Sequence, residues 1–173
     1  MILGRPLLTV EQIQSRISSL ADMINKDYEG KEIVIVGLLK GCFIFLADIV
    51  RQIKVPVIID FMTVSSYLQT TTSGEVKIHC DIRQDIENRH VLLIDDIIDT
   101  GISLNLIRER LLMKNPASLK ICVLLDKKER RIVDVPIDYV GFEIPNEFVV
   151  GYGLDYENNY RNLPYIAIFK KAL

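Results

Sequence analysis

Three runs of consecutive apolar residues constrain the fold of this chain more than any other feature. They cover residues 33–36, 91–94 and 121–125 and are rich in isoleucine, valine and leucine. A strand that is apolar at every position is buried on both faces, which is typical of a central parallel strand between layers of helices. The sequence therefore predicts an α/β protein with a twisted, mainly parallel central sheet flanked by helices.

Helical patterns separate these runs. Thr9 and Gln12 have the spacing of a capping box, and apolar residues recur at helical spacing from Ile13 to Ile24. Two further helices are predicted over residues 43–53 and 103–112. The pattern predicts additional strands over residues 56–61, 76–82, 139–144, 148–154 and 165–169.

Length and composition favour one globular domain over residues 1–173, with 49% hydrophobic and 25% charged residues and no linker. No apolar stretch approaches the ~20 residues of a membrane helix. The three cysteines, Cys42, Cys80 and Cys122, are odd in number and far apart, which favours buried, reduced thiols. We expect a cytoplasmic protein without a membrane partner.

The net charge of −2 argues against nucleic acid as a partner, because nucleic-acid-binding proteins usually present a basic face. An anionic ligand must then be held by local groups. His79 and His90 stand apart without the spacing of metal ligands, and no catalytic triad is evident.

Residues 91–104 carry the chemistry. The apolar strand leads into Asp95, Asp96 and Asp99, and a turn with Thr100 and Gly101 then opens a helix. Amides at a helix start lack intrahelical partners, so those of residues 100–103 can cradle a phosphate together with neighbouring hydroxyls. The paired carboxylates suit hydrogen bonds from vicinal hydroxyls or a place beside a magnesium ion.

This segment resembles the phosphoribosyl pyrophosphate signature of the type I phosphoribosyltransferases. An isolated Asp-Thr-Gly turn is often only turn chemistry, whereas the combined layout of strand, acidic pair, two apolar residues and turn is specific. The resemblance implies the family fold, with a small hood built from the chain ends and a flexible flap, and Mg²⁺ as cofactor. It implies that the sugar phosphate is bound by Asp95, Asp96, Asp99, Thr100, Gly101, Ile102 and Ser103.

Other segments are similar to the hypoxanthine-guanine branch of the family: residues 38–41, 65–67, 124–127 and 140–155, followed by Arg161. The resemblance implies that Asp99 is catalytic and faces purine N7, and that Lys127 reaches O6. It further implies that Phe148 stacks on the base, that Val149 meets the Watson–Crick edge, and that Asp155 lies near the base and a second magnesium. The metal positions implied are Asp95, Asp96 and Asp155.

For the pyrophosphate, the resemblance implies a cis peptide bond between Leu39 and Lys40. This bond turns the amides of Lys40 and Gly41 toward the ligand, and Arg161 adds a guanidinium fork that suits phosphate oxygens. Two departures are visible. Asp95 replaces a glutamate that is frequent in the family, and Ile102 stands where some relatives have a basic residue.

Several of these residues have ordinary interpretations on sequence alone. Phe148 lies in a strand-like run and would usually be a core residue. Lys127 begins a charged run over residues 127–131, and we expect residues 128–131 to be in solvent. Residues 65–74 are either an exposed hairpin or, as the resemblance favours, a lid that includes Ser66 and Tyr67.

The resemblance implies an enzyme of purine salvage. It would convert hypoxanthine and guanine, with phosphoribosyl pyrophosphate, to inosine and guanosine monophosphate, as a homodimer or homotetramer acting on small molecules. Two alternatives remain at this point. One is a xanthine-guanine phosphoribosyltransferase, and the other is a non-catalytic, nucleotide-sensing RNA-binding regulator on the same fold, which the acidic net charge disfavours.

Overall fold

A computed structural model describes residues 2–67 and 75–170, and its centre is a six-stranded sheet. The strand order is β4-β3-β2-β5-β6-β7, and every neighbouring pair is parallel except β3 and β4. The prediction of a mainly parallel α/β sheet is confirmed. The strands are β2 (Ile33–Leu39), β3 (Val57–Tyr67), β4 (Glu75–Cys80), β5 (His90–Ile98), β6 (Ser118–Asp126) and β7 (Tyr139–Glu143).

Helices cover both faces of this sheet: α1 (Val10–Asp27), α2 (Phe43–Val50) and α3 (Ile102–Leu112). Successive residues of β2 alternate between two buried clusters, because neighbouring side chains of a strand point to opposite faces. Ile33 and Ile35 pack in the cluster that contains α1 and α2, whereas Val34 and Val36 pack in the one that contains α3. This explains why residues 33–36 of β2 are apolar at every position.

The capping box of α1 is present as predicted. The Thr9 amide donates to Gln12 Oε1 at 2.9 Å, and the Gln12 amide donates to Thr9 Oγ1 at 3.3 Å. Helix α2 ends at Val50, before the predicted residue 53. The Ile53 amide donates to the Val50 carbonyl three residues earlier, which replaces the α-helical pattern by a turn. None of the helices in the described ranges is both long and apolar enough to cross a membrane.

A second, antiparallel sheet is built from both chain ends and forms the expected hood. Its order is β1-β9-β8, with β1 (Ile2–Leu8), β8 (Val149–Val150) and β9 (Ile166–Lys170). Strand β1 was not predicted, since a Gly-Arg-Pro segment interrupts its apolar pattern. The predicted strand over residues 148–154 is too long, because Gly151, Tyr152 and Gly153 have positive φ, which ends the strand.

The predicted flap begins as a hairpin. Strand β3 continues to Tyr67 and pairs antiparallel with β4, with Tyr67 opposite Glu75. Residues 68–74, and the side chains of Ser66 and Tyr67, lie outside the described residues. The closing movement of the flap therefore stays a prediction.

The cysteines are free thiols, but they are not all buried. Cys42 and Cys122 lie in the core, whereas Cys80 is exposed, contrary to the prediction. The reason is topological: Cys80 ends β4, which is the edge strand of the sheet. His79 contacts the Ser65 hydroxyl and His90 contacts the Ser118 hydroxyl, both at 2.8 Å, so each joins neighbouring strands.

Candidate active site

The predicted site residues meet at the carboxyl end of the parallel sheet. Lys40 follows β2, Asp99 follows β5 and Lys127 follows β6, and these three strands are adjacent. The Lys127 amide donates to the Ile98 carbonyl at 3.0 Å, which holds the ends of β5 and β6 together. Ligands of such sheets bind beyond the carboxyl ends of the strands.

The turn that precedes α3 is the segment predicted to bind the sugar 5′-phosphate. Gly101 has φ of 84°, and a Cβ on it would lie 2.6 Å from the Val133 carbonyl oxygen. The Thr100 carbonyl accepts hydrogen bonds from the amides of Ile132 and Val133 at 2.9 and 3.1 Å. The turn is therefore packed against residues 132–133, and α3 begins directly after it with its first amides free of helical partners.

The acidic pair is crowded. Asp95 Oδ1 accepts the Asp96 amide at 2.9 Å, and Asp96 Oδ1 accepts the Ile97 amide at 3.0 Å. Loss of solvent and the neighbouring Asp96 raise the pKa of Asp95 well above its usual value. Desolvation likewise raises the pKa of Asp96, although the positive charge of Arg161 acts to lower it. Hydroxyl donors or a cation would relieve this crowding.

Gly41 brings the loop after β2 against this pair. A Cβ on Gly41 would lie 1.7 Å from Asp96 Oδ2, so the loop backbone touches the carboxylate. The peptide bond between Leu39 and Lys40 is cis, as the resemblance implied. The loop that was assigned to pyrophosphate and the acidic pair that was assigned to the sugar are therefore direct neighbours.

The hood turn and Arg161 lie against the loop after β2. Arg161 Nη2 lies 2.7 Å from Asp155 Oδ1, and Arg161 Nη1 donates to the Gly153 carbonyl at 2.7 Å. A Cβ on Gly153 would lie 2.1 Å from the Gly41 carbonyl oxygen, which places the hood turn on the loop after β2. Arg161 and Asp155 are thus held as a pair beside Gly41.

A preformed metal cage is absent from the described residues, where no group of three or more His, Cys, Asp or Glu side chains is placed to hold an ion. Asp155 already accepts Arg161 and, through Oδ2, the Asn158 amide at 2.7 Å. The paired carboxylates of Asp95 and Asp96 nevertheless suit Mg²⁺, which is usually coordinated by one or two carboxylates together with substrate phosphates and water.

Phe148 is an exposed platform rather than a core residue. Its side chain is 51% exposed, and its ring contacts Tyr156 and Phe169 edge-on at centroid distances of 5.9 and 6.0 Å. The burial expected from sequence alone is therefore wrong for Phe148. Val149, in contrast, has a buried side chain, so any contact with a base must come from its backbone.

Lys127 is not a solvent-exposed member of the charged run. Its residue is 6% exposed, and its Nζ lies 3.6 Å from Asp99 Oδ2. Arg130 Nε lies 2.8 Å from Asp99 Oδ1 without the alignment of a hydrogen bond. Asp99 Oδ1 is buried and has no hydrogen-bond donor among the described residues. Asp99 therefore lies between two cations, with Oδ1 facing Arg130 and Oδ2 facing Lys127.

The expectation that residues 128–131 are all in solvent is only partly correct. Lys128 is exposed and pairs with Glu143. Arg131 instead forms a fork on Asp126, with Nε and Nη2 at 3.2 and 3.0 Å from its two oxygens. Asp126 is 1% exposed, and a buried carboxylate needs a cationic partner. An aspartate at the end of an apolar strand was the signal that this run contained such a partner.

Comparison with known proteins decides the family. The family model described as "phosphoribosyl transferase domain" matches residues 7–157. The chain belongs to this family. The phosphoribosyltransferase is 53% identical over 165 residues to a hypoxanthine phosphoribosyltransferase of Haemophilus influenzae, covering 93% of this chain and 92% of the relative. It is 54% identical over 160 residues to a hypoxanthine-guanine phosphoribosyltransferase of Aquifex aeolicus, and the match covers 91% of this chain and 90% of that relative.

A solved structure agrees with these relatives. The crystal structure of a hypoxanthine-guanine phosphoribosyltransferase from Bacillus anthracis, which has a HEPES molecule in its active site, superposes with a TM-score of 0.94. It is 47% identical and covers 98% of this chain and 100% of its own. The central sheet and hood of this phosphoribosyltransferase are therefore those of the hypoxanthine-guanine branch.

Proposed function

We propose that this phosphoribosyltransferase acts in purine salvage, converting hypoxanthine and guanine, with phosphoribosyl pyrophosphate, to inosine and guanosine monophosphate. The observation that carries the proposal is the pairing of Asp99 with buried Lys127, whose Nζ lies 3.6 Å from Asp99 Oδ2, next to the turn that precedes α3. A purine with a ring N–H and an exocyclic oxygen complements this acceptor and this cation.

In the reaction, purine N9 forms a bond to C1 of the ribose, and the bond from C1 to the pyrophosphate oxygen breaks. Asp99 accepts the N7 proton or polarises it, which increases electron density on the base as it attacks. Lys127 donates to O6, and Phe148 stacks on the ring. Positive charge develops at the ribose and is offset by nearby carboxylates.

The sugar substrate is held by backbone and charge. The amides of residues 100–103, with the hydroxyls of Thr100 and Ser103, bind the 5′-phosphate, and Asp95 and Asp96 accept the ribose hydroxyls. Lys40, Gly41 and Arg161 bind the pyrophosphate. Asp95, Asp96 and Asp155 would hold Mg²⁺, which when bound would supply positive charge to offset that of the leaving pyrophosphate.

The chemistry is that of a transferase of small molecules, and the relatives do not favour the two alternatives considered from the sequence. The free thiols support a location in the reducing cytoplasm. A homodimer or homotetramer is supported by exposed apolar side chains around α2 and β3, namely Phe43, Ile59 and Phe61. Sedimentation of the purified protein tests the assembly, and a monomer at all concentrations would contradict it.

A panel of nucleobases tests the proposed function. With phosphoribosyl pyrophosphate and Mg²⁺, adenine should show a kcat/KM at least about 10²-fold below that of hypoxanthine. The reason is that Lys127 can only donate, whereas the 6-amino group of adenine also donates. Initial rates of nucleotide formation with hypoxanthine, guanine, xanthine and adenine provide the measurement. Equal values for adenine and hypoxanthine would contradict the assignment of Lys127.

We also expect ordered binding. The anionic groups of the sugar substrate have binding groups that do not depend on the base, whereas the base site offers one exposed ring and one lysine. Phosphoribosyl pyrophosphate with Mg²⁺ should therefore bind first and form one wall of the purine site. Titration calorimetry should show weak binding of hypoxanthine alone and tighter binding with an inert sugar-substrate analogue. Equal affinity in both titrations would refute the order.

A further inference from the structure

We infer that Tyr152 is a positioning residue for the pyrophosphate loop, acting through Asp48. The inference rests on the proposed function, because it concerns the loop at Lys40 and Gly41 that would hold pyrophosphate. Tyr152 does not belong to the residues expected to touch substrate. It lies in the hood turn between Gly151 and Gly153, and its side chain is 3% exposed.

The Tyr152 side chain joins the hood to the central domain. Its hydroxyl donates a hydrogen bond to Asp48 Oδ2. Asp48 lies in α2, the helix that starts at Phe43 directly after the loop. The Tyr152 amide meanwhile donates to the Leu163 carbonyl at 2.8 Å, within the hood. One residue therefore ties the hood turn to the helix that follows the pyrophosphate loop.

Gly153, the residue after Tyr152, connects the hood turn to the pyrophosphate loop. Gly153 approaches the Gly41 carbonyl so closely that a Cβ would lie 2.1 Å from its oxygen. Arg161 contacts both ends of Gly153, since the Gly153 amide donates to the Arg161 carbonyl at 2.9 Å and Arg161 Nη1 donates back to the Gly153 carbonyl. The turn thus holds Arg161 close to Gly41, and both residues are assigned to pyrophosphate.

The backbone of Tyr152 itself points to a constraint of this kind. Its φ is 52°, a left-handed conformation that is unfavourable for a bulky side chain. Such conformations persist only where the surroundings enforce them, and they are concentrated at functional sites. Here the hydrogen bond to Asp48 and the burial of the ring provide the enforcing contacts. Without the hydroxyl, we expect the turn to relax away from Gly41.

A matched control exists in the same chain. Tyr139 is 2% exposed, and its hydroxyl donates to Asp27 Oδ2 at 2.6 Å. This is the same kind of buried tyrosine–aspartate hydrogen bond, but Tyr139 begins β7 and so lies at the amino end of the parallel sheet, away from the site. Tyr139→Phe removes the same atom as Tyr152→Phe without touching the hood.

The test compares Tyr152→Phe with Tyr139→Phe. Tyr152→Phe should raise the KM for phosphoribosyl pyrophosphate about tenfold, since small misplacements of positioning groups cost one to two orders of magnitude. Its kcat, and its KM for hypoxanthine, should stay at the parental values. Tyr139→Phe should lower the melting temperature to a similar degree and leave all kinetic constants unchanged. Equal KM values for the sugar substrate in the two variants would overturn the inference.

A double-mutant cycle tests the partner. Asp48→Ala should also raise the KM for phosphoribosyl pyrophosphate. The double variant with Tyr152→Phe should raise it no further, because both changes remove the same hydrogen bond between Tyr152 and Asp48. Additive effects would overturn the role of Asp48. If Asp48→Ala does not fold, the comparison of the two tyrosine variants still decides. In Tyr152→Phe itself, Asp48 retains Gln14 and Arg51 as partners. A parent protein inactive on every base would refute the proposed function instead.

Discussion

Gly41→Ala is expected to lower kcat/KM with hypoxanthine by at least about 10²-fold, because a displacement of about 1 Å within a reacting site has this cost. The new Cβ would lie 1.7 Å from Asp96 Oδ2. Asp96 cannot simply turn away, since its Oδ1 is held by the Ile97 amide. Either the loop moves or the carboxylate does, and both belong to the proposed site for the sugar substrate.

The matched control is Gly30→Ala. Unlike Gly41, Gly30 has a positive φ, of 72°, and a Cβ there would meet nothing within 4 Å. This variant should lose some stability, about 1 kcal/mol for a left-handed conformation, and keep parental kinetics. Initial rates and thermal melts of both variants provide the measurement. A Gly41→Ala enzyme with parental kcat/KM would show that the loop does not need its contact with Asp96.

Asp99→Asn is expected to lower kcat by about 10²-fold or more, the usual cost of removing an acid–base group. The asparagine keeps the shape of the side chain but cannot take the N7 proton. Binding of phosphoribosyl pyrophosphate should change little, because its phosphates are assigned to backbone amides, Lys40 and Arg161. Steady-state kinetics with hypoxanthine, combined with calorimetric titration of the sugar substrate, separate the two effects.

Asp134→Asn is the control for charge. It removes the same negative charge from an exposed aspartate in the segment that follows Arg131, and parental kinetics are expected. Turnover of hypoxanthine by Asp99→Asn at the parental rate would show that the role assigned to Asp99 is wrong. A loss confined to binding of the sugar substrate would contradict it equally.

The local sequence determined most of the helices and strands, because burial pattern and helix capping depend on residues that are close together in the chain. The all-apolar strands predicted a sheet buried on both faces, and Thr9 with Gln12 predicted the start of α1. The strand, acidic pair and turn of residues 91–104 are contiguous, so their arrangement at the end of β5 followed from chain connectivity alone. The family resemblance rested on the same contiguous segments.

Tertiary structure decided what depends on residues that are distant in sequence. Strand β1 forms because β9 offers it a partner, and Cys80 is exposed because β4 is an edge strand. Arg131 is drawn from the charged run to the buried carboxylate of Asp126, and Arg130 lies beside Asp99. None of these outcomes has a periodic signal, since each depends on which elements the fold brings together.

The hood turn shows the difference most clearly. The sequence by itself predicted a strand through residues 148–154, because apolar and aromatic residues dominate there. The structure ends the strand at Val150 and uses Gly153 to approach Gly41, which is more than one hundred residues away. Such a close approach needs a glycine at position 153, and only the folded chain shows that Gly41 is its neighbour. The sequence determined the chemical groups of the site, and long-range packing decided which of them are neighbours.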